Sequence, residues 1–255
     1  MSEVINKSVK LIQALKPDEF EYEWSATEIS KKVDMPVQTV HRLLSSLEKN
    51  GFVYKNKENR KFRLGLGLMQ LGLSIWEGLS ILNISRPLME KLADKTQESV
   101  YLTVREGNDG IFVECINSPQ MLRIAEPLGM RLPLCHGASK KVILAYMKPS
   151  AQERVIKGLI RTGILKTERE LDLLLDELTL IKQQGYSIST SETTHGTSGV
   201  AAPIFAWNGQ VEGAVSVAGP EIRFRANYLN RIINAVKETA FDISDKMGWV
   251  DTSHK

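Results

Sequence analysis

The sequence of 255 residues predicts an α+β protein with two domains, and three observations support this fold class. Apolar residues recur at helical spacing through the first fifty positions, and a short basic hairpin pattern follows them. An apolar segment interrupted by glycines then predicts a helix between the two domains. From residue 98 onward, strands with alternating apolar residues are grouped with amphipathic helices, which favours an antiparallel sheet covered by helices.

Composition is typical of a soluble globular protein, with 42% hydrophobic and 25% charged residues. The N-terminus lacks the apolar region of a signal peptide, and no apolar run approaches membrane-spanning length. We therefore expect a cytoplasmic protein without a membrane partner. The two cysteines, Cys115 and Cys135, are too few for a disulfide framework or a four-ligand zinc site, which fits a reducing compartment.

The first domain, predicted over residues 1–65, contains three helices. Apolar positions between residues 4 and 16 predict the first helix. Ser25 and Glu28 have the spacing of a capping box, in which each side chain accepts a hydrogen bond from the other residue's backbone N–H. Pro36 suits the first position of the third helix. That helix has its apolar residues on one face and ends at Asn50-Gly51.

A basic hairpin is predicted after the third helix. Two short strands, 52–54 and 61–64, flank a polar turn, and helix, tight turn, helix and hairpin are the layout of a winged helix-turn-helix. Nine basic and three acidic residues lie between positions 31 and 65, where DNA phosphates would lie. A solvated basic face is the alternative interpretation. The acidic segment 18–23 is expected on the side away from the phosphates.

The residues predicted to contact DNA form two groups. Polar side chains of the recognition helix would enter the major groove, where Gln and Arg suit bidentate contacts with adenine and guanine; they are Gln38, Thr39, His41 and Arg42. Basic side chains of the wing would hold phosphates without reading sequence; they are Lys55, Lys57, Arg60, Lys61 and Arg63. An ordinary solvated helix face is the alternative for the first group, and a phosphate clamp is the alternative role of Arg42.

The segment 66–82 is predicted to be a linker helix. Its small residues allow close packing, but it contains no GxGxxG and follows a hairpin strand, which argues against a dinucleotide-binding loop. The second domain is predicted over residues 83–255 and begins with a helix at about 84–95. Because its strands are grouped together, we expect an antiparallel sheet.

The predicted elements of the second domain follow in order. A hairpin at 98–115 turns at 107–110, and a third strand is predicted at 121–125. A loop at 129–141 opens a helix. The remaining elements are a helix at 168–184, strands at 186–189, 198–205 and 210–218, and a final helix at 225–247.

Several spaced motifs occur in both domains. They are Val40 to Glu48, Phe62 to Gly65, Gly129 to Ala145, Ala201 to Phe205 and Ser216 to Pro220. With these motifs, nearly the whole chain resembles the bacterial IclR-type transcriptional regulators.

The resemblance implies a transcriptional regulator, a repressor or an activator with repression favoured, that forms a homodimer or homotetramer and binds a palindromic operator in double-stranded DNA. Its C-terminal domain is expected to be GAF-like and to bind a small organic or sugar acid as effector. Two departures concern the expected pocket: Lys140-Lys141 stands where the family usually has Gly-Lys, and Ser189 stands where it usually has an acidic residue.

Nine residues align with the family's effector pocket: Met121, Ile124, Leu132, Ala138, Ser139, Ser189, Gly199, Ser216 and Ala218. Backbone N–H groups at the start of a helix, here Ala138 and Ser139, favour a carboxylate. The two serines at 189 and 216 would add hydroxyl donors, and the first three residues would form an apolar wall. The alternative is that these apolar residues belong to the core. Lys140 or Lys141 would suit an anion, but long lysine side chains are more often solvated.

A catalytic function is not favoured. Cys135 and His136, with Glu192 and His195, have the residue types of a nucleophile, a base and an orienting group, and the last two resemble half of a metal site. Adjacent residues on a strand point to opposite faces, so Cys135 and His136 are not expected to hydrogen-bond. We predict no catalytic residue, metal or cofactor. A second domain that only oligomerises, without a ligand, is the competing hypothesis.

Overall fold

The computed structural model describes residues 3–18, 21–78 and 80–250, without the side chains of residues 75–80 and 226. The chain divides into two compact units, residues 1–79 and 80–255. Among the described residues, no helix is long and apolar enough to cross a membrane.

In its described residues, the N-terminal unit contains four helices and one hairpin, with bounds close to those predicted. They are α1 (Glu3–Ala14), α2 (Ala26–Val33), α3 (Val37–Lys49), β1 (Val53–Lys55), β2 (Phe62–Leu64) and α4 (Leu66–Gly78). Its core joins the apolar faces of the first three helices to the hairpin, through Leu11, Leu15, Trp24, Ile29, Val40, Leu44, Val53 and Phe62. The winged helix-turn-helix layout is therefore confirmed.

Local contacts determine where the helices of this unit begin. The capping box of α2 is confirmed, because Ser25 N–H donates to Glu28 Oε2 at 2.7 Å and Glu28 N–H donates to Ser25 Oγ at 3.3 Å. Pro36 is the residue before the first turn of α3 instead of the first helical residue, a shift of one position. Trp24 extends the hairpin by pairing its backbone with Phe62 in both directions.

The C-terminal unit contains five α-helices and six strands in its described part. They are α5 (Ser80–Thr96), β3 (Ser99–Glu106), β4 (Asp109–Ile116), β5 (Arg131–Pro133), α6 (Ala138–Tyr146), α7 (Pro149–Arg161), α8 (Glu168–Gln184), β6 (Ser187–Thr190), β7 (Thr197–Phe205), β8 (Val211–Pro220) and α9 (Ala226–Lys246). The strand order is β5-β4-β3-β8-β7-β6, and every neighbouring pair is antiparallel. The predicted α+β class and antiparallel sheet are confirmed.

Two details of the second unit differ from the prediction. Residues 121–125 form no strand, and the edge strand is β5 instead, which pairs with β4. Helix α7 was not predicted; it begins at Pro149, whose missing N–H is not needed in a first turn. The segment 66–82 contains α4 and the start of α5, and its role as a linker remains a prediction.

The central strands β3 and β8 place small and polar residues on one face of the sheet. Tyr101 lies opposite Ser216 in this pair, and Ala201 of β7 lies opposite Ser216 on the other side. The helices α6, α7 and α8 form a core cluster with Ala201 and Ala214 of the same face. The N-terminus of α6 therefore meets the middle of the sheet, which is where the candidate effector site lies.

Candidate functional site

The recognition helix α3 separates its two faces as the sequence pattern predicts. Val40, Leu43 and Leu44 are buried, whereas Gln38, His41 and Arg42 are exposed and Thr39 is half-buried. The ring of His41 also contacts the edge of Phe62, with centroids 5.9 Å apart. The four predicted base-reading residues therefore lie on one solvent-facing surface, next to the hairpin.

The five wing cations have different surroundings. Lys57 and Arg60 are exposed at the turn and have no ion-pair partner among the described residues, and Lys55 Nζ lies 5.4 Å from the centre of the Phe62 ring. Lys61 Nζ instead lies 2.6 Å from Glu21 Oε1, and Arg63 Nε lies 3.5 Å from Glu23 Oε1. Two of the five cations are thus already paired within the chain.

The acidic segment before α2 contacts the wing through Glu21 and Glu23, and its position relative to DNA phosphates remains a prediction. Asn56 and Asn59 of the hairpin both donate to Glu23 Oε2, at 3.0 and 2.8 Å. These hydrogen bonds, with a smaller effect of nearby cations, lower the pKa of Glu23. The segment anchors the base of the wing and reduces its positive charge.

In the C-terminal unit, a cavity of about 50 Å³ lies between the sheet and the N-terminus of α6. This space suits a compact molecule of a few non-hydrogen atoms. Seven of the nine predicted effector residues line it, from five separate parts of the chain; they are Ile124, Ala138, Ser139, Ser189, Gly199, Ser216 and Ala218. The structure brings these residues together, although their role in binding remains a prediction.

Two predicted residues lie elsewhere, which corrects the proposed apolar wall. Met121 is 100% exposed, and Leu132 is half-buried on β5 without lining the cavity. The reason is the missing strand at 121–125, because without pleated alternation Met121 has no inward direction. Tyr101 and Phe112 of the sheet provide aromatic surface instead, with ring centroids 4.9 Å apart.

The N-terminus of α6 opens directly into the cavity. Gly137 precedes the helix with a φ of 77°, and a side chain there would approach Thr193 Oγ1 to 2.8 Å, so both backbone and space favour glycine. In the described part of the chain, no side chain caps this helix, although Gly137 N–H donates to Glu192 at 3.0 Å. The first-turn amides of Ala138 and Ser139 thus face a space suited to an anion.

Hydroxyl groups surround the same space. Thr103 Oγ1 donates to Ser139 Oγ at 2.9 Å, which leaves the Ser139 hydroxyl proton for another acceptor. The hydroxyl groups of Ser198 and Thr190 form a hydrogen bond, with Oγ and Oγ1 3.1 Å apart. The side chains of Ser189 and Ser216 form no hydrogen bond with any described residue, and both line the cavity.

Tyr101 holds the segment between β4 and β5 over the cavity. Its hydroxyl donates to Ile124 O and accepts from Glu126 N–H, both at 3.0 Å, and Ser99 Oγ donates to the same carbonyl at 2.7 Å. Burial raises the pKa of the Tyr101 phenol, so this donor stays protonated. Ile124 and Glu126 are positioned as walls by these bonds.

Both lysines at the start of α6 are buried, so the expectation that they are solvated is wrong. Lys141 Nζ is bonded to Glu177 and, at 2.7 Å, to Glu192. Lys140 instead lines the cavity, with its Nζ 3.6 Å from the centre of the Phe112 ring. Burial lowers the pKa of Lys140 to about 8.

Sequence reasoning missed eight further residues around the cavity: Tyr101, Phe112, Glu126, Gly137, Thr193, Thr197, Ser198 and Val217. The pairing register of the strands places several of them at the cavity, since Tyr101 of β3 lies opposite Ser216 of β8 and Ser198 of β7 lies opposite Gly219 of β8. The pairing of β3 with β8, more than a hundred residues apart, was the missing information.

Comparisons with known proteins agree with this architecture. The family description "Bacterial transcriptional regulator IclR C-terminal" matches residues 74–245, and "IclR helix-turn-helix domain" matches residues 4–57. The chain belongs to the IclR family of bacterial transcriptional regulators.

Similar proteins include the HTH-type transcriptional regulator KipR of Bacillus subtilis, 36% identical over 88% of this chain and 89% of the relative. The HTH-type transcriptional repressor AllR of Escherichia coli is 30% identical over 88% of this chain and 83% of the relative. A crystal structure of Thermotoga maritima IclR has a TM-score of 0.78 at 26% identity and covers 96% of this chain and 98% of that one.

One contact bears on the enzyme question in this IclR-family chain. Cys135 Sγ lies 3.3 Å from His136 Nδ1, so the expectation that these side chains point apart is wrong. Both residues follow β5 in a turn, where strand alternation does not apply. Burial raises the pKa of the Cys135 thiol, which disfavours the thiolate that a nucleophile needs. Glu192 is bonded to Lys141 and Gly137, and the described residues contain no cluster that could hold a metal.

Proposed function

We propose that this regulator is a repressor whose affinity for its operator is controlled by a small organic acid bound in the C-terminal cavity. Similarity to AllR, which is named a repressor, supports the sign of regulation. The observation that carries the effector proposal is the uncapped N-terminus of α6 facing a cavity lined by hydroxyl groups. No catalytic step is required, and the C-terminal unit acts by binding alone.

We propose different roles in DNA binding for the exposed residues of α3 and those of the wing. Gln38 and Arg42 contact base edges, and each good bidentate pair contributes about 1 to 3 kcal/mol of discrimination between bases. Thr39 and His41 lie beside them on the same surface. Lys57 and Arg60, which are not paired with acids in the described chain, hold phosphates.

A palindromic operator requires a symmetric oligomer, and we propose that the protein is a homodimer or homotetramer. Exposed apolar residues in the N-terminal unit support self-association; they are Val4, Ile5 and Val9 of α1 and Leu66, Met69, Leu71 and Leu73 of α4. Burying such side chains against a second copy is favourable, because apolar surface leaves water. Analytical ultracentrifugation of the full chain measures the oligomeric state directly.

The test begins with an operator selected from random duplexes by the purified full-length protein. Fluorescence anisotropy then measures its affinity with and without millimolar pyruvate, oxalate and related acids. Because allosteric coupling is typically about 1 to 3 kcal/mol, we expect an acid to weaken operator binding by about 5- to 150-fold. An operator affinity that no acid changes, in an intact oligomer, would favour a C-terminal unit that only oligomerises.

A further inference from the structure

Lys140 is a cation buried beside the cavity without an acidic partner. Its side chain is only 2% exposed, and its Nζ forms no hydrogen bond or ion pair with any described residue. The amine instead lies over the ring of Phe112, with Nζ 3.6 Å from the ring centre. A buried ammonium that has left water needs an anion or hydrogen-bond acceptors to compensate its lost hydration. A single aromatic ring supplies only part of that compensation.

The backbone of β4 makes room for this side chain. A Cβ atom at Gly110 would lie 2.7 Å from Lys140 Cγ, so only glycine lets the lysine stem cross the strand. The amine is thereby directed over Phe112 into the cavity instead of outward to water. This direction distinguishes Lys140 from its neighbour Lys141, which points to Glu177 and Glu192.

The other charged groups around Lys140 form no ion pair with it in the described chain. Glu126, from the segment over the cavity, favours the charged amine, but its carboxylate accepts a hydrogen bond from Thr194 at 2.8 Å and forms no ion pair in the described chain. Glu192, from the segment between β6 and β7, is bonded to Lys141, and Glu114 of β4 is bonded to Arg86. Tyr101 of β3 stays neutral because burial raises its pKa.

We propose that Lys140 is the specificity-determining residue of this cavity, and that its ammonium selects a compact organic anion over a neutral molecule of the same shape. The proposal rests on the proposed function of the cavity as a ligand site. The amides at the start of α6 and the Lys140 ammonium both favour negative charge, so an anion completes an arrangement that the chain itself leaves open.

Anion binding and protonation of Lys140 are linked. In the ligand-free protein the pKa of Lys140 is about 8, so its charged form predominates at pH 7 and is lost above pH 8. If the anion binds only the ammonium, its apparent affinity falls by about tenfold per pH unit above that point, because binding must take up one proton. A ligand held only by amides and hydroxyl groups has no such dependence.

The experiment uses calorimetric titration of the full-length protein with two matched pairs of probes, pyruvate with pyruvamide and oxalate with oxamide. We expect at least one acid to bind and its neutral amide to bind at least 30-fold more weakly. Lys140→Met keeps the length of the side chain and should lose at least 30-fold in acid affinity. Lys91→Met, at an exposed position on α5, is the matched control and should bind as the wild type does.

Titrations at pH 7.0, 8.0, 9.0 and 9.5 provide the second readout, with falling acid affinity expected in the wild type. If Lys140→Met fails to fold, Lys140→Gln and the wild-type pH profile decide the question. Equal binding of acid and amide, equal acid binding by Lys140→Met, or no binding of any acid would overturn the role of Lys140. Operator titrations with the same proteins keep the two proposals apart: modulation by acid that survives in Lys140→Met retains the sensor function and removes only this inference.

Discussion

At the scale of single residues, burial changes what a charge does. Lys140 and Lys141 are adjacent on α6 and equally buried, yet one is bonded to two carboxylates and the other faces a cavity. The first is compensated within the fold, whereas the second depends on what enters from outside. A buried charge without a partner reduces stability, and this cost can be measured without any ligand.

We predict that Lys140→Met stabilises the ligand-free protein. Burial lowers the folded-state pKa of Lys140 to about 8 from its ordinary value of 10.5, so folding opposes its charge. At pH 7 the substitution should raise the free energy of unfolding of residues 80–255 by about 3 kcal/mol, as an order of magnitude. Urea denaturation followed by circular dichroism checks this value.

The sign of the pH dependence follows from the same pKa. Because the unfolded state binds the proton more tightly, wild-type stability should rise between about pH 8 and 10.5, relative to Lys140→Met. Below pH 8 both states are protonated and the difference between the two proteins should be constant. A difference that does not change with pH over this window would contradict the linkage.

A second residue-scale prediction concerns the wing. Removing the unpaired cations by Lys57→Gln with Arg60→Asn should weaken operator binding and lower the log–log salt slope by up to about 0.9 for each lost phosphate contact. Asparagine suits position 60 because Arg60 has a φ of 58°, which Asn tolerates better than most residues.

Lys61→Gln is the matched comparison, since Lys61 is paired with Glu21 at 2.6 Å. It should change the salt slope less than the double substitution does. Anisotropy titrations at salt concentrations from about 50 to about 200 mM compare the two proteins. The DNA affinity of proteins with several phosphate contacts falls steeply over this range. A larger effect of Lys61→Gln would mean that Lys61 leaves Glu21 when DNA binds.

At the scale of elements, Lys141 connects three parts of the C-terminal unit. Its amine bonds Glu177 of α8 and Glu192 of the segment between β6 and β7, and Glu192 also accepts from Gly137 before α6. This network fixes the loop that carries Thr193 against the start of α6. The cavity therefore depends on a charge network that lies outside it.

The two ends of this network differ in exposure, and this predicts an asymmetric response to substitution. Glu177→Gln with Glu192→Gln leaves the buried Lys141 ammonium without a carboxylate and should cost about 3 to 5 kcal/mol of stability. Lys141→Met leaves two carboxylates that are each about one-third exposed, and water can compensate them, so the cost should be about 1 kcal/mol. Thermal and urea unfolding compare the variants, and equal losses would contradict this account.

At the scale of the whole molecule, the two units have separate cores. Because each buries its own apolar residues, we expect the full chain to unfold in two calorimetric transitions instead of one. An acid that binds at 100 times its Kd should stabilise the transition of residues 80–255 by about 2.7 kcal/mol, whereas operator DNA should act mainly on the other transition. A fragment of residues 80–255 should reproduce the acid-sensitive transition, and a single transition for the full chain would contradict independent unfolding.

The elements that were predicted correctly are those with strong local signals. The capping box at Ser25, the apolar face of α3 and the alternating strands β3 and β4 each depend on neighbours within a few residues. The errors have non-local causes. Residues 121–125 carry apolar side chains but are held by hydrogen bonds from β3 instead of by a neighbouring strand.

The sequence by itself determined the α+β class, the two faces of the recognition helix, the concentration of positive charge near the wing and, through spaced motifs, the family. Those properties follow from periodicity and composition, which local residues carry. Only the tertiary structure decided that Glu21 and Glu23 anchor the wing, that Tyr101 and Phe112 line the cavity and that Lys140 points into it. The physical reason is that the burial of a charge and the walls of a cavity depend on strands and helices distant in sequence, whose pairing no local pattern specifies.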